Sequence, residues 1–387
     1  MGFIDSSLLN ESLICSRTGQ PAPNVKPRIR QIIRIGRIGS FFPSPMLLGL
    51  AVLLGATSVA HGQLTTDLAD LRGKDSFTDA DRGKITAAVN AILQNMAEAE
   101  SQADRVKLTR EFRNVWGASS SLNFKDELAT IMSSRLQNRM QNDPGEAVML
   151  VLQSLRGWKH DRTIRAMRAG LEHASAAVRL IAAQGIQDLW AALPNGEVQP
   201  SIQALQEAGG KENDWIVCRQ ICNALAAAGN SPNIITAMLT IFEARLKAFD
   251  KHAEPGAETA VINYLHAQLA NITPETRVRI ARDLALLIAQ AVPKYIKDVQ
   301  DAEKNENPQD KLVRSQVSID AAERLLADLV KERVQRVPNI RQYLKQGLPD
   351  GLEGMQIELN NWIGTPNQKG VLSDAPFNVP IGGGVTK

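Results

Sequence analysis

The chain has 387 residues, of which 44% are hydrophobic and only 4% aromatic, a balance rich in alanine and leucine that suits a large all-α core. Its formal net charge is +3, yet six of the 44 basic and two of the 41 acidic residues lie within residues 1–62, and the rest carries a net of −1. The basicity belongs to the first segment alone, so it is no signal of nucleic-acid binding.

That first segment, residues 1–62, reads as a targeting leader. PRIRQIIRIGRIGS is basic and free of acid, MLLGLAVLLGA is an apolar run, and TSVAHGQ offers small residues for cleavage. It resembles a Sec-type signal peptide with an extended amino-terminal region, in which Ala60 and Gly62 fit the cleavage site and Gln63 begins the mature chain. The resemblance implies export to a periplasmic or extracellular location. No charged residue stands between Arg37 and Asp67, so an uncleaved anchor is the alternative, and the membrane is then met only through the leader. Pro43, Pro45 and the shortness of the strongly apolar part argue against an anchor.

Residues 63–77 read as a linker. Thr78 is placed to cap a helix opening with DADRGKITAAVNAILQNM, with Asp81 at the favoured third position. Asp143-Pro144-Gly145-Glu146, Ser231-Pro232, Thr273-Pro274 and Asn307-Pro308 repeat a cap followed by a first-turn proline. Between these marks, apolar periodicity predicts helices near 102–116, 121–141, 145–157, 161–172, 175–193, 199–208, 213–228, 232–250, 256–271, 274–302 and 308–336. Pro293 is expected to kink the helix over 274–302. From residue 348 to 387 the chain is rich in Gly, Pro and Asn and is expected to be largely disordered.

Two stretches are similar to one another. ASAAVRLIAAQGIQDL and ENDWIVCRQICNALAA align Val178 with Val217 and Ile186 with Leu225, and each follows a shorter amphipathic helix. The arrangement resembles the HEAT family of helical repeats, whose valine-arginine pair is matched by Val178-Arg179 and not by Val217-Cys218. The resemblance covers about residues 121–271 and is clear in the middle. It implies an all-α, right-handed α-α superhelix, or solenoid, over residues 78–347, closed by a hairpin of two long helices. In such an array each unit buries its inner helix against its neighbours, and the alanines between Val178 and Leu193 keep the stack tight.

Chemistry-bearing groups are sparse. His160-Asp161, Glu172-His173 and His252 with Glu254 fall at expected turns and read as solvated or capping groups. No HExxH, GxSxG, glycine-rich phosphate loop or CxxC spacing occurs, so no metal, cofactor or catalytic set is expected. Cys218 and Cys222 share a helix face and are expected free and unmetallated, with Cys222 the more buried and Cys218 the more reactive. Trp158, Trp190 and Trp215 sit near helix ends, where they are expected to pack junctions between units.

The most suggestive surface is RGWKHDRTIRAMRAGLEH. Lys159, Arg162, Arg165 and Arg168 step by three, and with Arg156 they are expected to form a basic ridge for an acidic protein segment or an envelope polyanion. The repeat resemblance implies a non-catalytic protein-binding or scaffold module of the cell envelope. An enzyme built in the solenoid groove and a purely structural envelope protein are the alternatives.

Overall fold

The computed structural model describes residues 68–117, 119–249, 256–302, 309–344 and 350–384. The leader, the first part of the linker, His252, Glu254 and the Asn307-Pro308 pair lie outside the described residues. Those described are all-α. Among them are fourteen helices and no strand, with one isolated bridge between Thr365 and Gln368. In chain order the helices are α1 (Asp79–Glu98), α2 (Gln102–Val115), α3 (Leu122–Arg139), α4 (Gly145–Trp158), α5 (Ile164–Gly170), α6 (Ala176–Leu189) and α7 (Asn195–Lys211). They continue with α8 (Trp215–Ala227), α9 (Pro232–Lys247), α10 (Glu258–Ala267), α11 (Pro274–Ala302), α12 (Gln309–Val330), α13 (Ile340–Leu344) and α14 (Asp350–Ile363).

Local signals start several of these helices. Thr78 Oγ1 accepts from Asp81 N at 3.2 Å and Asp81 Oδ2 accepts from Thr78 N at 3.1 Å, a reciprocal capping box. Lys74 donates to the same carboxylate at 2.8 Å, and these bonds hold Asp81 down at about 2. Ser101, Ser121 and Asp214 cap α2, α3 and α8 by accepting from backbone N–H groups of the first turn, without the reciprocal bond. Asp143 does not cap α4. Arg139 takes its carboxylate with two bonds of 2.8 and 2.9 Å, and Pro144 stands at the N-cap with no side-chain bond. A bidentate guanidinium competes successfully with two backbone N–H groups for the same oxygens. α11 runs through Pro293 as one helix, and α7 begins five residues before Pro200, which therefore lies inside it. α12 ends at Val330, short of the expected 336, and turns follow.

The helices pack in two rows. α1, α3, α5, α7, α9 and α11 contact one another in succession, as do α2, α4, α6, α8, α10 and α12, and neighbours in sequence bridge the rows. Leu152 and Leu155 on α4, Val178, Ile186 and Leu189 on α6, and Ile221 and Leu225 on α8 are each fully buried along the even row. Each such side chain contributes about 1.5–3 kcal/mol by leaving water. Small residues bring the rows together: a Cβ added at Gly170 would lie 2.9 Å from both Ala182 Cβ and Leu152 Cδ1. The described part of the linker, residues 68–77, packs on the helices. Leu68 and Leu71 are buried, and Ser121 donates to Arg72 O and Lys74 O, both at 2.7 Å.

The expected disordered tail is instead folded over residues 350–384. Trp362 on α14 is fully buried, and its indole donates to Glu323 Oε1 at 2.9 Å. The same carboxylate accepts from Ile340 N at 2.5 Å and Arg341 N at 2.8 Å, so one buried glutamate on α12 fastens both α13 and α14. Burial pushes the Glu323 carboxyl up, against the pull of these donors. Gly364, at φ 80°, ends α14 and lets the chain fold back, where Leu372 N donates to Trp362 O at 3.0 Å. Glycine and proline mark irregular backbone here, and Met355, Leu359, Trp362, Leu372 and Phe377 supply the burial that holds it.

Candidate functional site

The five cations expected on one ridge face different neighbours. α4 ends at Trp158, Lys159 takes a left-handed φ of 51°, and a 3-10 turn over Asp161–Thr163 precedes α5. The helical step of three therefore does not run unbroken from Arg156 to Arg168. Arg156 points to the even row, where Nε lies 2.5 Å from Asp188 Oδ2 and Nη1 donates to Gln184 Oε1 at 2.6 Å. Arg168 points to the odd row and binds Glu197 at 2.7 Å, while Arg165, 70% exposed, lies 3.9 Å from the same carboxylate.

Arg165 and Arg168 line a groove of about 830 Å³ between α5 and α7. A second depression of about 270 Å³, lined in part by Arg162, shares Gln137 and Arg165 with it. Three alanines, Ala169, Ala204 and Ala208, stand among longer charged and polar side chains in its lining. Ala204, Glu207, Ala208 and Lys211 recur at steps of three and four and so present one face of α7, opposite Ala169 of α5. Charge is mixed along it: Arg165, Arg168 and Lys211 stand with Glu172 and Glu207.

An ion pair forms part of the groove lining. Arg179 donates to Glu212 through Nε at 2.6 Å and Nη2 at 2.8 Å, and through Nη1 to the carbonyls of His173 and Ala174. Glu212 is almost wholly buried, and its hydrogen bond is the main cause that raises the Arg179 guanidinium. His173 Nδ1 accepts from Ser175 N at 2.9 Å. Burial, and then the nearby Arg179, lowers the His173 pKa, so the ring is neutral at pH 7. The valine-arginine pair at 178–179 is visible in the sequence, but its acidic partner 33 residues onward carries no local mark.

The remaining sequence candidates resolve into packing. Trp158 stacks on Phe112 and Trp116, with ring centres 4.7 and 4.1 Å apart. The Trp190 indole donates to Ala224 O at 2.7 Å, and Trp215 lies under the Arg314 guanidinium at 4.8 Å. All three tryptophans thus join separate helices. Cys218 and Cys222 are both free and both fully buried, so the expected difference in burial is absent, while the hydrogen bond between them pulls the Cys218 thiol down and pushes the Cys222 thiol up. The aligned Arg179 suggests a surface position for Cys218, but the thiol faces Gly209 O at 3.9 Å, inside the α7–α8 contact. No helix among the described residues is long and apolar enough to cross a membrane. No protein-family model, curated protein or solved structure matches the chain.

Proposed function

We propose that the chain is a non-catalytic binding module, an α-solenoid of HEAT-like two-helix units, exported through its leader and working in the cell envelope. The two rows of successively packed helices support the repeat reading. The observation that carries the binding reading is the groove between α5 and α7, whose volume of about 830 Å³ suits a bound segment and whose lining includes the exposed Arg165 and Lys211. The partner is a protein segment with acidic side chains directed at Arg162, Arg165 and Lys211. Glu197 already neutralises Arg168, and Asp188 removes Arg156 from the surface in question.

An enzyme in the groove is the weaker reading. His173 is neutral with Nδ1 engaged, and Arg168, Arg179, Glu197 and Glu212 are paired with one another. The test is a photo-crosslinking side chain at Ala208 in the native host, with Gly157 on α4 as the comparison. A discrete partner captured at Ala208 only, and lost with Arg162→Glu and Arg165→Glu, supports the proposal. Equal capture at both positions removes it.

A further inference from the structure

His160 stands in the turn between α4 and α5, and both edges of its ring meet carboxylates. Nε2 lies 2.8 Å from Asp126 Oδ1 on α3, and Nδ1 lies 3.2 Å from Asp161 Oδ1. One ligand atom from each of the three residues lies within 4.8 Å of the other two. The imidazole is packed rather than free: its ring meets Trp116 edge-on, with centres 5.5 Å apart at 86°, and Trp116 is itself stacked on Trp158. The carboxylates remain open to solvent, at 55% and 31% exposure.

The donor set differs from a plain acidic cluster. Carboxylates alone suit hard cations, whereas an imidazole nitrogen adds the donor that zinc, nickel and copper favour. Two carboxylates also balance the charge of a divalent ion. Nδ1 accepts from Arg162 N at 3.3 Å, so the neutral ring carries its one proton on Nε2, toward Asp126. An ion that takes the Nε2 lone pair leaves the ring neutral as that proton passes to Nδ1, 3.2 Å from Asp161 Oδ1, while Arg162 N keeps its bond of 2.8 Å to the same oxygen. A tetrahedral zinc site has N and O ligands at about 2.0–2.2 Å, hence about 3.4 Å from one another. Nε2 stands 2.8 Å from Asp126 Oδ1, and one donor atom of each residue lies within 4.8 Å of the other two, so side-chain rotations bring the set to that spacing.

We propose that Asp126, His160 and Asp161 form a site for a divalent first-row transition ion of the zinc class, with water completing its shell. The bound ion clamps α3 to the turn that opens α5. The site is separate from the groove reading and stands or falls without it.

The test uses the full chain, untagged, with zinc ion followed by calorimetry, cobalt ion by visible absorption and copper ion by tryptophan quenching. Saturable one-to-one binding is expected, with quenching because Trp116 touches the ligating ring. Trp116→Phe should lose most of the quenching and keep the cobalt spectrum. Asp126→Asn and His160→Gln should each weaken zinc binding by more than about a hundredfold at unchanged helicity, exceeding the roughly 10–100-fold of an outer-shell loss. His266→Ala, which disturbs a separate histidine 2.7 Å from Asp328, should leave binding intact. Binding that survives His160→Gln and Asp126→Asn, or no saturable binding at all, overturns the site and leaves a hydrogen-bonded bracket.

Discussion

Arg245 on α9 and Glu258 on α10 form an ion pair of 2.6 Å in which both side chains are almost wholly buried, at 1% and 4% exposure. Arg245 also donates to Glu212 O at 3.2 Å, and Glu258 accepts from Gly256 N at 2.9 Å, so the pair ties α9 and α10 to the C-terminal end of α7. Removing one partner leaves the other charged and unpaired in the core. Arg245→Met alone should therefore destabilise the chain by about 3–5 kcal/mol, and Arg245→Met with Glu258→Leu should recover most of it. Urea unfolding of the two variants measures the difference; equal losses would show that packing, not charge, holds this junction.

Two glycines should respond oppositely to alanine. Gly157 on α4 has nothing within 4 Å of an added Cβ, whereas Gly170 meets Ala182 and Leu152. Gly157→Ala should stabilise by up to about 1 kcal/mol through helix propensity. Gly170→Ala should cost about 1–3 kcal/mol by forcing α5 off α6. Thermal melts of the two variants side by side decide it.

Asp283 on α11 supplies a pH dependence. Burial, with Glu243 of α9 beside it, pushes its carboxyl up from 3.8 to about 7, against the pull of Arg279 and Lys247. The folded chain thus holds a proton that the unfolded chain releases near pH 4. The stability from this group is full below about pH 4 and is lost as pH rises through about 7. Asp283→Asn keeps a neutral side chain throughout, so its melting temperature should match the parent at pH 4 and exceed it at pH 8. A constant gap between those pH values would refute the raised carboxyl.

Glu323 should decide whether the tail stays docked. Glu323→Ala strands the Trp362 indole and the N–H groups of Ile340 and Arg341, each of which costs about 1–3 kcal/mol when left buried without a partner. Limited proteolysis should then cut first within residues 331–384, leaving the helices before α12 intact. Unchanged digestion would mean that apolar packing alone holds α13 and α14.

Much of the helical layout is legible in the amino-acid sequence. Periodicity places a helix at 145–157 where α4 spans Gly145–Trp158, and Thr78 caps α1 at Asp79 as its sequence predicts. These signals are local: a cap acts within one turn, and apolar spacing reports one face of one helix. The candidate site is half legible. Arg165 and Arg168 do share a face, but the step of three also groups Arg156 with them, although its guanidinium finds Asp188 on α6.

Local sequence settles the all-α class and most helix positions, because backbone hydrogen bonding and burial period are decided within a few residues. Which polar groups meet across helices is a matter of tertiary structure. Arg179 finds Glu212, and Glu323 draws in a tail whose composition suggests disorder. A side chain bonds whatever packing brings within about 3 Å. In a helical stack that neighbour stands on another helix, tens of residues away in the chain, where no local pattern points to it.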